Sequence, residues 1–387
     1  MINKSKIVAD LKLDLSDTNL SEPFNVLVDS LNNEANLSFT GKLAAKYQIK
    51  QHLRNRHLIS QIYEGIEKPK VSQPIFVIGL PRSGTTFLFN LLSQDSNHRS
   101  PLFWEMMKPF PLVETNGYKE KLRIGQSNLI LFFKERFIPQ LDDLHAIKSD
   151  SPEECLLIKV FALQSILYFY MANTPTYLDY LSNCDTRIAY SQHFKFLSIL
   201  ERQQKPQRWL LKDPSHLGNL DEILNYYPDA RFIHIIRDPV ETIPSICSLT
   251  AQVRKGFSSN IDLHDIGKRT INFWEQSNKK NESQKLKFSS KEYMQVQYKD
   301  LIDDPINLMK DIYANFDFHL DEKTLTEMTG YIEKGSLEDK AKHKYSLEDY
   351  GLDEAEVHNL SLIHISEPTR PERIAYGGVW GKKKMGG

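Results

Sequence analysis

From Pro74 the chain reads PIFVIG, passes through GLPRSGTTF (Gly79–Phe87) and continues to Gln94 in residues that favour a helix. A short unbroken apolar run ending in glycine marks a strand buried on both faces, the kind found in parallel sheets. A glycine-bearing loop between such a strand and a helix gathers backbone N–H groups and the positive helix end at one point, where an anion binds. Gly79 and Gly84 stand at the spacing of the two glycines in GxxxxGK[ST], the loop that cradles nucleotide phosphates. The lysine of that pattern is missing. Thr85 and Thr86 follow Gly84, and Arg82 is the only cation in the loop.

Three further runs have strand character: Arg208–Lys212 (RWLLK), Arg231–Ile236 (RFIHII) and Tyr293–Tyr298 (YMQVQY). Helical patterns at 216–227, 240–250, 263–283 and 305–315 lie between and after them. This alternation predicts an α/β fold with a P-loop-like parallel sheet flanked by helices. Ahead of the sheet, residues 1–70 read as a helical segment, with apolar residues at helical spacing from Lys42 to Ile66 and a proline-containing linker at 68–74. Residues 100–205 read as a largely helical insertion. Within it, Ser151-Pro152-Glu153-Glu154 has the composition of a helix start: a serine cap, proline at the first position and carboxylates near the positive end. The apolar load that follows, Leu156 to Tyr170, suits core packing or a pocket wall.

A chain of 387 residues suffices for one large α/β domain with additions. Its net charge of −1 argues against a nucleic-acid track and leaves any basic patch local. Cys155, Cys184 and Cys247 form no CxxC pair and no metal-ligand spacing, which suits a reducing cytosol. The first residues carry no apolar run behind their lysines, and no stretch reaches the ~18 apolar residues of a membrane span. The expectation is a cytoplasmic protein without a metal.

A second cation, Arg237, ends the run RFIHII. A Mg²⁺-dependent nucleotide hydrolase needs an acidic group at such a strand end. Here the cation comes first and Asp238 second. Loop and strand-end arginine together favour a nucleotide held without Mg²⁺, since guanidinium grips phosphate as a fork.

GLPRSGTTF resembles the 5′-phosphosulfate loop of the sulfotransferase superfamily, and RDPVETIPS (Arg237–Ser245) resembles its 3′-phosphate motif. RSPLFWEM (99–106), WLLKDPSHL (209–217) and KHKYSLEDYGL (342–352) are similar to a bacterial branch that shares features with tyrosylprotein sulfotransferases. The resemblance runs from about 45 to 357, with a sulfotransferase domain at 71–357. It implies transfer of a sulfuryl group from PAPS (3′-phosphoadenosine 5′-phosphosulfate) to an acceptor hydroxyl, leaving adenosine 3′,5′-bisphosphate. Arg82, Ser83, Gly84, Thr85 and Thr86 would hold the phosphosulfate, and Arg237 with Ser245 the 3′-phosphate. Glu105 would be the base, and Lys212 with Arg82 would stabilise the leaving group. His145 is the rival base, because an imidazole titrates near neutrality. Tyr298 and Asp300 read as structural. Lys342 and Lys344 lie where the resemblance brings the chain near the cofactor, or form a solvated cluster.

The acceptor would be a small molecule, a lipid or a carbohydrate bearing a hydroxyl. The Phe-, Tyr- and Leu-rich insertion, on the acceptor side, leans towards an apolar alcohol. Two other classes stand against this reading. One is a P-loop-type phosphotransferase or ATPase, disfavoured by the missing lysine and by Arg237. The other is a nucleotide-binding protein without catalysis.

Leu360–Arg370 reads LSLIHISEPTR, which resembles a translated transposon-end sequencing adapter, so 358–387 is expected to be a non-native tail without function.

Overall fold

The structure is a computed structural model and describes residues 1–14, 16–112, 117–137, 147–258, 260–334 and 346–362. Five strands form one parallel sheet: β1 (Ile75–Ile78), β2 (His98–Arg99), β3 (Arg208–Lys212), β4 (Arg231–Ile236) and β5 (Tyr293–Gln297). Their order is β2-β3-β1-β4-β5. From the central β1 the chain builds β2 and β3 on one side, then crosses to β4 and β5 on the other. A crevice therefore opens at the C-terminal ends of β1 and its neighbours, where open α/β sheets take their ligands.

Alternation along the strands feeds two cores. Ile75 and Val77 join Ile233 and Ile235 with Leu88 and Leu92 of helix α4 (Thr85–Leu92) on one face. Phe76, Ile78 and Phe232 join Ile243, Ile246 and Trp274 on the other, beneath the helices Pro239–Lys255 and Leu263–Lys285. All four residues of β1 are buried. Each such side chain contributes about 1.5–3 kcal/mol relative to exposure.

The N-terminal segment forms three helices, α1 (Lys4–Leu11), α2 (Thr18–Asn33) and α3 (Phe39–Glu64). The side chains of Asn3, Asp17 and Ser38 cap them by accepting backbone N–H groups of the first turn. Phe24, Leu27, Ile49 and Leu53 pack into the same core as the sheet face above. Two more helices follow α4: α5 (Phe103–Met107) and α6 (Tyr118–Phe137). No helix among the described residues is long and apolar enough to cross a membrane.

Four of the five strands coincide with the expected runs. The fifth, β2, has two residues, His98 and Arg99, and no apolar run to announce it. The helix expected to start at Ser151 does not form there. Phe103 donates its N–H to the Ser151 carbonyl at 3.1 Å, Glu153 donates to Pro101 at 3.1 Å, and Pro152 bridges Leu102. These bonds hold the segment extended against 101–103, and helical turns begin only at Leu156–Lys159. The insertion is then built from short pieces, since a turn at Val160–Ala162 ends at Leu163 with φ +54° before Leu167–Met171 resumes. His145, Lys342, Lys344 and the tail from residue 363 lie outside the described residues.

Candidate active site

The loop after β1 takes its shape from positions that favour glycine. Gly79 has φ +144° and Gly84 φ +95°. A Cβ on Gly79 would stand 2.5 Å from the Ile235 carbonyl, and one on Gly84 would stand 2.7 Å from the Tyr298 ring. Both sites thus combine a conformation that L-residues avoid with backbone or ring contact. Arg82 also lies in the left-handed region, at φ +68°. Such strain at a non-glycine residue is tolerated where the surroundings hold it. The Ser83 hydroxyl donates to the Leu80 carbonyl at 2.6 Å and is fully buried. Its side chain is therefore spent on the loop's own shape.

Arg82 reaches across the crevice. Its Nε donates to Ser245 Oγ at 3.0 Å. Arg237, just past the end of β4, donates from a terminal nitrogen to the Arg82 carbonyl at 3.1 Å. The Arg237 guanidinium lies over Tyr298, 4.1 Å from the ring centre, and pairs with the exposed carboxylate of Glu241 at 2.6 Å. Tyr298 opens the helix Tyr298–Asp303, with Asp300 in its first turn. The ring thus supports Gly84 on one side and Arg237 on the other. Two arginines and a hydroxyl, with Arg82 standing 155 residues before Arg237 and 163 before Ser245, form one connected group.

Lys212 ends β3 beside Val77 of β1. Its ammonium donates to Thr86 Oγ1 at 3.0 Å and pairs with Glu154 at 2.7 Å. The lysine side chain is 2% exposed and Glu154 15%. Burial of both charges demands this pairing, since an unpaired buried charge costs several kcal/mol. Sequence reasoning missed Glu154 by giving it to a helix terminus. The signal available was a pair of acidic residues directly before an apolar run, which does not reveal a lysine partner 58 residues later.

Glu105, in α5, is 5% exposed. One carboxylate oxygen accepts from Arg99 at 2.6 Å and the other from the Leu102 N–H at 2.8 Å. Burial pushes its carboxyl above the usual range, and the Arg99 charge pulls it part of the way back. Arg99 itself is stacked on Trp209, 4.6 Å from the ring centre. The described contacts of Glu105 run to Arg99 and Leu102 rather than to the glycine loop. Met106, next in the chain, and Leu157, three residues beyond Glu154, line a cavity of about 650 Å³ between α3, α5 and α6. Phe161, Val160, Leu122 and Tyr47 add apolar and aromatic wall.

The tertiary structure also gathers groups that the sequence keeps apart. Cys155, His193 and His216 present ligand-type atoms within 4.8 Å of one another, all buried. Each imidazole is fixed through Nδ1 by a phenol: His193 by Tyr227 at 2.6 Å, His216 by Tyr190 at 2.8 Å. Burial holds both imidazoles neutral far below their ordinary range, and the Lys159 charge adds to this. Lys159 is anchored by Ser215 Oγ at 2.6 Å and Asp213 at 3.4 Å. A cation thus already stands in this layer.

A parallel sheet whose strand ends carry Arg237 and Lys212 around a glycine loop has the P-loop-like architecture. Residues 74–322 match the model of the sulfotransferase family, and the chain belongs to that family. It is 24% identical over 250 residues to omega-hydroxy-beta-dihydromenaquinone-9 sulfotransferase Stf3 of Mycobacterium bovis, with the same figures for Stf3 of Mycobacterium tuberculosis. The match spans 62% of this chain and 62% of those curated relatives. Sulfotransferase STF1 of Mycobacterium tuberculosis has a TM-score of 0.80 at 27% identity, covering 92% of this chain and 98% of that one. Sulfotransferase STF9 of Mycobacterium avium also gives 0.80, at 22% identity over 94% of this chain and 96% of its own, and speaks to the fold alone. Sulfuryl transfer is the reaction class of the family, and membership does not favour the phosphotransferase alternative.

Proposed function

We propose that the chain transfers the sulfuryl group of PAPS to the hydroxyl of an apolar alcohol. The observation that carries this is the bond from Arg82 to Ser245 with Arg237 on the Arg82 carbonyl. It joins a 5′-phosphosulfate loop to a 3′-phosphate clamp through one side chain. The donor set fits a bisphosphorylated nucleotide, being two guanidinium groups and a hydroxyl, with an exposed carboxylate, Glu241, as the acidic contact of Arg237. Bound PAPS supplies the sulfuryl group. Arg237 and Ser245 hold the 3′-phosphate, while the loop N–H groups and Arg82 hold the phosphosulfate. Lys212, fixed on Thr86 beside the loop, would stabilise the negative charge that develops on the leaving group, so that stabilisation is organised in advance.

Glu105 takes the acceptor's proton, and its upward-shifted carboxyl is closer to the proton affinity that general-base work at neutral pH favours. A second reading gives that proton to Glu154, because Glu154 is ion-paired to the lysine that touches the loop. The acceptor lies in the cavity beside Met106 and Leu157. The three unpaired thiols support a cytoplasmic setting.

Thermal denaturation tests the cofactor first. Adenosine 3′,5′-bisphosphate is expected to raise the melting temperature while ATP with Mg²⁺ leaves it unchanged. Transfer of labelled sulfate from PAPS to long-chain alcohols then tests the reaction. A requirement for Mg²⁺, or stabilisation by ATP and not by the bisphosphate, overturns the proposal.

A further inference from the structure

Twelve large apolar side chains stand open to solvent among the described residues, and seven of them lie on α3 and α6, two helices that help line the 650 Å³ cavity. Phe39, Leu43 and Tyr47 follow one another at four-residue steps on α3, so they share one outward stripe. On α6, Tyr118, Leu122, Leu129 and Phe132 stand at steps of four, seven and three, again one stripe, with the exposed Gly125 inside it. Ser127 and Leu131 of the same helix are buried, which fixes the stripe as the outward side. Tyr47, Leu122 and Leu112 belong both to the exposed set and to the cavity lining. The apolar surface therefore continues from the outside of the molecule into the cavity.

Charge decides what covers it. From Phe39 to Tyr63 there are five Lys or Arg and no acidic residue, although the whole chain carries −1; Lys50 and Arg56 are paired with Asp10 and Asp17, which leaves Lys42, Lys46 and Arg54 to face outward. Lys42 and Lys46 alternate with Leu43 and Tyr47, and Lys119, Lys121 and Arg123 surround Leu122 with Glu120 as the single acid of 118–132. A second copy of the chain would bring these like charges face to face. An anionic bilayer answers both features, with apolar side chains entering the headgroup boundary and lysines meeting lipid phosphates. Patches of this kind otherwise stay rare on a monomer's surface.

We infer that the outward faces of α3 and α6 form a docking surface for an anionic lipid bilayer, with the acceptor cavity opening onto it. The docking rests on the two stripes and their charge. Its use, drawing an apolar alcohol directly from the bilayer, rests on the proposed acceptor class.

The test is co-sedimentation with vesicles of phosphatidylcholine alone or of an equimolar mixture with phosphatidylglycerol. The full chain is expected to sediment with the mixed vesicles and to be released by salt. Leu43→Glu with Leu129→Glu, both outside the cavity lining, is expected to weaken this at least about tenfold with no change in stabilisation by the bisphosphate. That unchanged stabilisation shows the variant is folded. If the parent stays in the supernatant with both vesicle types, or the variant sediments like the parent, the docking surface is overturned. A parent that is dimeric in sedimentation velocity, a monomeric variant and no vesicle binding by either would instead make the face an interface between copies. Vesicle binding together with failure to sulfate a long-chain alcohol in detergent would leave the docking standing and overturn only the acceptor class.

Discussion

Arg237 meets the Arg82 carbonyl, the Tyr298 ring and Glu241, so its removal takes away a fork of charge-assisted bonds, each of about 1.5–3 kcal/mol. Arg237→Ala is expected to weaken adenosine 3′,5′-bisphosphate binding by more than about tenfold in calorimetry, and Ser245→Ala by less, since one neutral hydroxyl contributes about 1 kcal/mol. Parent-like affinity in both variants would remove the 3′-phosphate assignment. The two carboxylates separate by the same logic. Glu105→Gln keeps the shape of α5 but cannot take a proton, so turnover should fall roughly 10²–10⁴-fold with bisphosphate affinity held. Glu154→Gln leaves Lys212 without its buried partner and is expected to lower the melting temperature as well as turnover. If Glu105→Gln turns over like the parent while Glu154→Gln is inactive and folded, the base is Glu154.

At the scale of the element, the loop from β1 to α4 depends on Gly84 more than on any contact it makes. Gly84→Ala places a methyl 2.7 Å from the Tyr298 ring at φ +95°, which demands a shift of the ring that also carries Arg237. Strain of about 1–3 kcal/mol is expected to appear as lost bisphosphate affinity, measured by titration, with both phosphate sites affected together. An alanine variant that binds normally would mean that the loop tolerates another path. The pattern at 74–94 was legible because buried strand, glycine loop and helix are each local in sequence. The insertion was not: Ser151–Glu154 has every local mark of a helix start, yet its backbone bonds to 101–103. Tertiary pairing outweighed a propensity of a few tenths of a kcal/mol per residue.

Across the whole molecule, the buried histidines set a pH limit. The His193 and His216 pKa values are depressed well below 6.5, chiefly by burial. The unfolded chain therefore takes up protons below 6.5 that the native state refuses, and stability present above that pH is lost as pH falls through it. The melting temperature is expected to drop between neutrality and about pH 5, before most carboxylates titrate. A flat profile across that window would show that the imidazoles accept protons in place. His216→Gln, which removes one of these groups, should flatten the profile only in part, because burial holds His52 and His98 down as well.

The sequence by itself determined four of the sheet's five strands, the glycine loop and the strand-end arginine, because periodicity, glycine spacing and charge at a strand end are local properties. The family resemblance singled out Arg237 and Ser245 by their spacing of eight, and the structure joins both to Arg82. Only the tertiary structure decided that Lys212 answers Glu154, that Tyr298 braces both Gly84 and Arg237, and that Glu105 is tied to Arg99 over Trp209. These partners meet because a parallel sheet brings the ends of β1, β3 and β4 side by side after crossovers of many residues. A buried charge must find its counterpart among whatever that topology delivers: Lys212 and Glu154 share no local window along the chain, and Arg99 and Glu105, though they share the run 99–106, meet only because the fold turns Arg99 onto Trp209.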